Sequence, residues 1–379
     1  LAFAGDDYHK FLLVSILLNA GMVLASTAMG GLQVEAGHLF GIPGRVSSLR
    51  QVVTSVSQVA GPFLGGILAQ RALGLTAGLG TLVMLAMAAV AWLGFRERPL
   101  PPAAAPRPGA APAERPRYRP TAAIGIGILL IGAAGTVSVL IPGMLAIGLS
   151  LYAMLAVFLL VLALAMVRVE NPVLAQAQGQ LSQILRSRAL WMAVGMLFLV
   201  YVVPGFNTAL TYRQSDTLHF SKELIGRLAS VEGAAGIAFS IVYAVVCSRF
   251  SLRALIVFAI VTNAAATLLF LHYDASDAYA VHALVGAVGA MSEVALMDLA
   301  VRSTPRGCEA LGFALMISVR NFGIALSDVG GSMLIDQAHL SFRTLVLLNA
   351  GTTAAVLLFV PALPRALVLR KEGQEEGQP

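Results

Sequence analysis

Long apolar runs separated by short polar segments recur along the whole chain. A helix needs about 20 mostly apolar residues to cross a bilayer, and these runs reach that length almost without charge. The run 120–167 has 48 residues and contains Pro142-Gly143, so it predicts two helices. The pattern therefore predicts eleven membrane-spanning helices. The runs are 11–34, 51–70, 72–95, 120–167, 189–212, 228–248, 254–273, 278–301, 310–335 and 344–364.

The amino-acid composition excludes most classes of soluble protein. Of the 379 residues, 58% are hydrophobic and 12% are charged, whereas soluble domains average roughly 25% charged residues. So few charges cannot solvate the surface of a domain of this size, and a disordered chain is excluded for the same reason. A membrane β-barrel would show short alternating segments instead of unbroken runs. We therefore expect an all-α polytopic membrane protein, because helices satisfy their own backbone polar groups inside a bilayer.

The first apolar run starts near residue 11, shortly after Leu1. No basic segment with a small-residue cleavage site precedes it, so we expect no signal peptide. We expect instead that the parent protein begins upstream of Leu1. Eleven helices are then a minimum for that protein.

Lysine and arginine divide unequally between the two sides of the predicted membrane. When loops alternate sides, one side has 17 of the 25 basic residues and the other has 6, while Arg50 and Arg320 lie within or at the edge of spans. Cytoplasmic loops are enriched in basic residues, so we expect a multi-pass inner-membrane protein with a cytoplasmic C-terminus. This topology explains the net charge of +6 without a nucleic-acid partner.

Two polar segments divide the chain. Residues 96–121 contain eight of the 17 prolines and are predicted to be a Pro/Ala/Arg-rich cytoplasmic linker. Residues 169–188 mix leucine with glutamine, serine and arginine and predict a cytoplasmic surface segment, with a helix lying on the membrane as one form. The predicted organisation is a remaining N-terminal bundle at 1–95, the linker 96–121, two additional spans at 122–168, the surface segment 169–188, a six-helix bundle at 189–364 and a tail at 365–379.

Motifs in the second half resemble those of a known transporter family. The loop 248–253 keeps the two arginines of the Asp-Arg-x-Gly-Arg-Arg turn of the major facilitator superfamily and lacks its Asp and Gly. The other motifs are Phe206-Asn207-Thr208-Ala209-Leu210-Thr211-Tyr212, Leu218-His219-Phe220-Ser221, Ile225-Gly226, Arg302-x-x-Pro305-x-Gly307-x-Glu309-Ala310, Phe313-Ala314-Leu315, Ser318, Asn321 and Ser327. Together they resemble the folate–biopterin transporter family, a branch of that superfamily.

The resemblance covers 189–345 well and 11–70 more loosely, around Val34-Glu35 and Gly44-Arg45. It implies two helical bundles that rock about a central site. In one alignment three N-terminal helices are missing, and 122–141 and 143–167 are an extra central pair. In the other only one helix is missing, and that pair belongs to the N-terminal bundle.

Charged groups inside spans are candidates for function, because burying charge in a bilayer is expensive. Arg320 lies near the middle of 310–335, where a guanidinium can bind a carboxylate through two N–H groups. By the resemblance, the glutamate tail of a folate would supply that carboxylate. The alternative is a structural ion pair with Glu293 or Asp328. The residues predicted to bind substrate are Arg320, Asn321, Asn207 and Tyr212.

The acidic residues within spans are predicted to serve proton coupling or gating. Glu293 lies in the middle of 278–301, where a carboxylate can exchange a proton or pair with Arg320. Asp298 precedes Arg302 by four residues, which favours an ion pair along one helix. Glu232 begins a stretch of small residues, 232–236, that predicts close helix contact. The acids assigned to coupling or gating are Glu293, Asp328, Glu232, Glu35 and Asp298.

Several other polar residues favour structural roles. His282 is expected to be hydrogen-bonded within the fold rather than to relay protons, and Glu309 is expected to stabilise a helix N-terminus. Arg213 and Asp216 form either an external gate or ordinary loop charges. Cys247 and Cys308 fall at predicted cytoplasmic helix ends, so a disulfide is not expected, and no Cys/His motif predicts a metal site.

The sequence favours a secondary transporter. It contains no HExxH, GxSxG or Walker motif, so we expect no enzyme, no cofactor and no ATP-driven transport. The resemblance implies uptake of folate or pterin by a monomer in the lipid bilayer, with protons as the coupling ion. Two alternatives stay open, namely an exporter of amphipathic compounds and a non-transporting membrane assembly factor of related fold.

Overall fold

The computed structural model describes residues 8–69, 73–94, 122–140, 145–166 and 172–372. Every regular element in these ranges is helical, which confirms the predicted all-α class. The predicted linker 96–121 and the break at Pro142-Gly143 lie outside the described residues. The helices are α1 (Tyr8–Phe40), α2 (Pro43–Ala69), α3 (Leu73–Gly94), α4 (Ala122–Leu140), α5 (Leu145–Met166), α6 (Pro172–Arg186), α7 (Arg188–Tyr201), α8 (Asn207–Tyr212), α9 (Lys222–Val246), α10 (Leu252–Thr267), α11 (Ala278–Ser303), α12 (Glu309–Asp336), α13 (Phe342–Ala355) and α14 (Arg365–Val368).

Each predicted apolar run overlaps a helix, but eleven spans are not confirmed. Within the described ranges, five helical segments have the length and hydropathy of a membrane span, or six if α6 and α7 form one broken span. The five are Lys222–Val246, Leu252–His272, Ala278–Ser303, Glu309–Asp336 and Phe342–Ala362. The second and fifth include short 3-10 extensions of α10 and α13. Shorter apolar stretches lie in α3, α4 and α5.

The run 189–212, predicted as one span, is not a continuous helix, because the chain leaves the helix between α7 and α8. Pro204 lacks the N–H that a continuous helix needs. Gly205 donates its N–H to the carbonyl of Ser327 in α12 at 2.9 Å, and the Ser327 hydroxyl donates to the carbonyl of Val203 at 2.5 Å. The broken backbone therefore finds its hydrogen bonds on α12. After α8 the chain continues as a π-helical turn at Arg213–Thr217.

Serine side chains fix the start of four helices. Each serine hydroxyl accepts from the backbone N–H three residues later and so satisfies a donor that lacks a partner inside the helix. Ser221 and Ser341 accept at 3.1 Å in α9 and α13, and Ser187 and Ser251 do the same for α7 and α10.

The described chain forms two compact units, one up to Thr76 and from Arg186 onward, the other from Ala77 to Leu185. In the first unit, α2 packs on α9 and α9 packs on α11, and glycines allow close approach. A Cβ at Gly233 of α9 would lie 2.9 Å from the Val59 backbone nitrogen in α2. A Cβ at Gly286 of α11 would lie 2.2 Å from the Glu232 carbonyl oxygen. The close helix contact predicted for 232–236 is therefore present.

In the second unit, α4 and α5 form an antiparallel pair. Gly148 approaches Val139, Gly135 approaches Tyr152, and Gly132 approaches Leu155. The Thr136 and Tyr152 hydroxyls lie 2.7 Å apart and hydrogen-bond across the pair. In the same unit, α6 covers most of the predicted surface segment 169–188 and separates its apolar residues from its polar ones.

Large apolar side chains cover much of the outer surface of both units. Trp92, Leu140 and Leu358 are each more than three-quarters exposed. Exposed apolar area on this scale is unusual for a soluble protein. It agrees with a surface that faces lipid.

Candidate functional site

A polar cavity of about 180 Å³ lies between α2, α9, α11 and α12. Its wall joins the predicted N-terminal and C-terminal bundles, since α2 belongs to the former and the other three helices to the latter. Three of its lining residues are charged, namely Glu232, Glu293 and Arg320. The others are Gln51, Thr54, Ser55, Gln58, Gly236, Val285, Gly286, Gly289 and Ala290.

The α2 wall is polar because of helical periodicity. Gln51, Thr54, Ser55 and Gln58 are spaced by three or four residues and share one face of the helix. Ser55 is completely buried, and its hydroxyl lies where a side chain at Gly236 of α9 would project. This face provides neutral hydrogen-bonding groups to the cavity, and the charges come from the facing helices.

Arg320 and Glu293 form an ion pair across α12 and α11. Arg320 Nη2 lies 3.1 Å from both carboxylate oxygens of Glu293, and both side chains are about three-quarters buried or more. The Tyr201 hydroxyl in α7 also donates to this carboxylate, and Arg320 Cζ lies 4.8 Å from the centre of the Tyr201 ring. The structure thus shows the Arg320–Glu293 pairing that the sequence left as one alternative.

Arg50 brings a second cation from α2 to the same bundle interface. It lies with its Cζ 4.9 Å from the centre of the Phe313 ring and donates from Nη1 to Gln33 Oε1 at 3.3 Å. Gln33 in turn donates to Ser47 at 3.1 Å. Arg50 is therefore held by an aromatic face and an amide.

Glu232 and His282 meet at another part of the cavity wall. His282 Nδ1 lies 3.1 Å from Glu232 Oε2, and His282 Nε2 lies 3.2 Å from both Tyr273 Oη and Gln214 Nε2. The imidazole is almost fully buried, whereas the Glu232 side chain is 42% exposed. As the sequence predicts, His282 is hydrogen-bonded within the fold, and the structure shows that its partner is a cavity carboxylate.

A second charged cluster occupies the end of the bundle that contains the tail. Arg302 donates to Asp298 through Nε at 2.7 Å and Nη2 at 3.0 Å, which confirms the predicted pair along α11. The Tyr243 hydroxyl donates to the same fully buried carboxylate at 3.1 Å. Beside it, the Cys247 thiol donates to Glu372 Oε2 at 2.6 Å.

Four residues predicted to bind substrate or serve coupling lie away from the cavity wall. Asn207 and Tyr212 are exposed on α8, and Tyr212 has 64% of its surface accessible. Glu35 is exposed on α1. Asp328 lies on α12 beside the backbone of Gly205, at the break between α7 and α8. None of these four residues is among those that line the cavity.

Asn321 touches the site only through its neighbour. Its Oδ1 accepts from Arg320 Nη1 at 3.3 Å, and its side chain is exposed.

Three other charged residues singled out in the sequence have local partners. Glu309 accepts from the Gly307 N–H at 2.8 Å, which fits its predicted role at the start of α12. Arg213 donates to the Tyr273 carbonyl at 3.4 Å, while Asp216 accepts from Ser215.

Cys247 and Cys308 are buried, and neither is in a disulfide within the part of the chain that the structure describes. Among the residues that the structure describes, no group of three or more His, Cys, Asp or Glu side chains is arranged to hold a metal ion.

Two parts of the site are not among the residues predicted from the sequence, namely the polar face of α2 and Tyr201. The polar face of α2 was detectable, because the i, i+3, i+4, i+7 spacing stands out in an apolar run. The role of Tyr201 was not detectable, because its partner Glu293 is 92 residues away and tyrosines near span ends are usually interface anchors.

The family model called the BT1 family matches residues 13–378, which is nearly the whole chain. No curated protein and no solved structure gives a significant match. Members of the family are transporters rather than enzymes. The chain therefore belongs to the BT1 family, the folate–biopterin transporters of the major facilitator type, and is a membrane transporter.

Proposed function

We propose that this protein is a secondary active transporter that takes up a folate or pterin across the inner membrane, driven by protons and working by alternating access. The observation that supports this proposal best is the Arg320–Glu293 ion pair on the wall of a polar cavity between the two predicted bundles. Substrate sites of such transporters lie at the interface of their repeats near the middle of the membrane.

Arg320 is suited to bind a substrate carboxylate because Tyr201 and Glu293 hold its guanidinium in place on the cavity wall. The Tyr201 ring supports one face of the guanidinium, and Glu293 occupies the place that a substrate carboxylate would take. A guanidinium binds planar carboxylates through paired N–H groups. An incoming carboxylate would therefore compete with Glu293 for the same donors.

Glu293 then provides the link to protons. A carboxylate that loses its cation inside a bilayer is expensive to keep charged, so it favours proton uptake. Substrate binding to Arg320 and protonation of Glu293 would in this way promote each other. Release on the other side would restore the ion pair.

The cavity is smaller than most binding sites in this conformation. Its volume of about 180 Å³ lies below the roughly 300–1,000 Å³ of typical ligand pockets. A whole folate needs more room, so its binding requires movement of α2 relative to α9, α11 and α12. Separation of these walls is the motion that alternating access requires.

The decisive experiment compares two substrates in proteoliposomes that contain the purified full chain. Arg320→Gln should abolish uptake of labelled folate, which has carboxylates, and should reduce uptake of biopterin much less, because biopterin has none. Arg343→Gln, a change of an exposed arginine at the start of α13, is the matched control and should transport both. Equal folate uptake by Arg320→Gln and the wild type would rule out the carboxylate site.

The same vesicles test coupling and direction. Uptake should rise with an inward proton gradient and fall when a protonophore collapses it, and Glu293→Gln should lose that response. Extrusion of substrate against its gradient would favour the exporter alternative. If the wild type moves neither substrate in either direction, the transport of folates or pterins is rejected and an assembly role gains support.

A further inference from the structure

His282 connects the cavity to a buried polar network. Its Nδ1 lies 3.1 Å from Glu232 Oε2, and its Nε2 lies 3.2 Å from Tyr273 Oη and from Gln214 Nε2. Gln214 Nε2 also donates to Tyr273 Oη at 2.7 Å. Phe270, which packs edge-on against the imidazole, belongs to an apolar cluster that also includes Phe206, Phe220 and Leu345. The imidazole thus has one polar route to the cavity, through Glu232.

The partners define which ring nitrogen holds a proton. Nδ1 faces a carboxylate, which only accepts, so Nδ1 must donate. Nε2 faces the Gln214 amide nitrogen and the Tyr273 hydroxyl, both of which can donate, so it can accept. A neutral imidazole with its proton on Nδ1 satisfies all of these groups.

The same network can take one more proton without moving a helix. An imidazolium donates from both nitrogens, and Tyr273 Oη can accept from Nε2 if its own proton turns away. The Gln214 amide can rotate to present its oxygen. The added positive charge would lie 3.1 Å from the Glu232 carboxylate, which attracts it.

The surroundings favour this pair as a proton site distinct from Arg320–Glu293. The lining residues of α2 are neutral polar residues, so no cation from α2 lines the cavity near Glu232. Arg320 and Glu293 line the same cavity and neutralise each other. On the far side, Arg213 is bound to the Tyr273 carbonyl and to the face of the Phe342 ring. Among the residues that the structure describes, Glu232 is therefore the cavity carboxylate without an arginine or lysine partner.

We propose that Glu232 and His282 form a proton-binding site on the cavity wall that holds the coupling proton and passes it to the cavity. This inference rests on the proposed proton-coupled function. In it, His282 has a chemical role in addition to the structural one that the sequence predicts. Glu293 then receives a proton that has entered through Glu232.

Transport in proteoliposomes tests the coupling role. His282→Gln, which changes a residue behind the cavity wall, should keep substrate counterflow, which needs no net proton movement, and should lose accumulation driven by an inward proton gradient. His272→Gln changes an exposed histidine and should accumulate substrate like the wild type. Accumulation by His282→Gln at the wild-type level would overturn the proposal.

A second measurement needs no substrate. In the purified full chain with labelled histidine, magnetic resonance should find His282 with its proton on Nδ1 at high pH. It should gain a second proton as the pH is lowered. Glu232→Gln, which changes a half-exposed side chain, should shift that transition. A His282 signal that keeps a single ring proton at every pH at which the protein stays folded would overturn the proton site. Absent counterflow in the wild type would instead reject the proposed function alone.

Discussion

Arg320 lies over the ring of Tyr201, with its Cζ 4.8 Å from the ring centre, while the Tyr201 hydroxyl donates to Glu293, the carboxylate that pairs with Arg320. One tyrosine from α7 therefore stabilises both members of an ion pair between α11 and α12. An ion pair away from water needs such additional partners, because its mutual attraction only partly offsets the loss of hydration.

The two contributions of Tyr201 can be separated. Tyr201→Phe keeps the ring and removes one hydrogen bond to a charged group, so we expect a loss of about 1.5–3 kcal/mol in unfolding free energy. Tyr201→Leu also removes the aromatic face and should lose up to about 2 kcal/mol more. Thermal unfolding of the purified protein in detergent measures both, with Tyr212→Phe on the exposed face of α8 as the control. Equal melting temperatures for Tyr201→Phe and the wild type would contradict this role.

Gly286 should be intolerant of any side chain. A Cβ there would lie 2.2 Å from the Glu232 carbonyl oxygen, which is backbone and cannot turn away. Gly286→Ala must therefore push α9 and α11 apart, and we expect a loss of about 1–3 kcal/mol or more. Gly289, one turn later on the same helix, has no atom within 4 Å of the position of a Cβ, so Gly289→Ala is the matched control. The yield of monodisperse protein and its melting temperature report the difference, and similar values for both variants would refute the close contact.

The sequence predicts the class of the protein and the main ion pair better than it predicts helix continuity. Apolar runs predict helices because a bilayer leaves the backbone few alternatives. The scarcity of charge inside spans likewise singles out Arg320 and Glu293. Hydropathy does not detect the break at Pro204-Gly205, because the hydrogen bonds that replace the helical ones come from Ser327, more than a hundred residues away.

The same limit applies to the site. Asp298 and Arg302 are neighbours along one helix, so spacing is enough to pair them. His282 and Glu232 are 50 residues apart, and nothing local relates them. Asn207 and Tyr212 match the family motif, yet they are exposed on α8, the short helix that follows the break after α7. A family motif identifies candidate residues, whereas the packing of the helices determines which of them line a cavity.

The end of the described chain should dock more strongly at low pH. Burial raises the pKa of Glu372, and the nearby Asp298 charge raises it further, while the Cys247 thiol and Arg45 lower it. The docked carboxyl therefore binds a proton more tightly than a free one, whose pKa is about 4.3. By linkage, docking is favoured as pH falls through the raised pKa and weakened as pH rises above it.

Hydrogen exchange measures this docking, since the Glu372 N–H donates to the Cys247 carbonyl. After correction for the intrinsic pH dependence of exchange, protection at Glu372 should decrease as pH rises. Glu372→Gln should protect the amide equally at all pH values, because the amide side chain does not titrate. Arg45→Gln should have a small effect, since Arg45 lies 3.8 Å from Glu372 and is half exposed. Protection that increases with pH would contradict the buried carboxyl.

Two ion pairs with the same spacing should differ widely in their contribution to stability. Asp298–Arg302 and Glu223–Arg227 are both four residues apart on a helix, but Asp298 is fully buried and both members of the second pair are at least 40% exposed. Asp298→Asn leaves a buried guanidinium without its carboxylate and should reduce stability by about 3–5 kcal/mol. Glu223→Gln should reduce it by about 1 kcal/mol or less. Denaturation of the two variants under the same conditions measures both losses of stability. The Tyr243 hydroxyl also donates to Asp298, so the loss for Tyr243→Phe should lie between the other two. Similar losses for Asp298→Asn and Glu223→Gln would show that burial does not set the strength of these pairs.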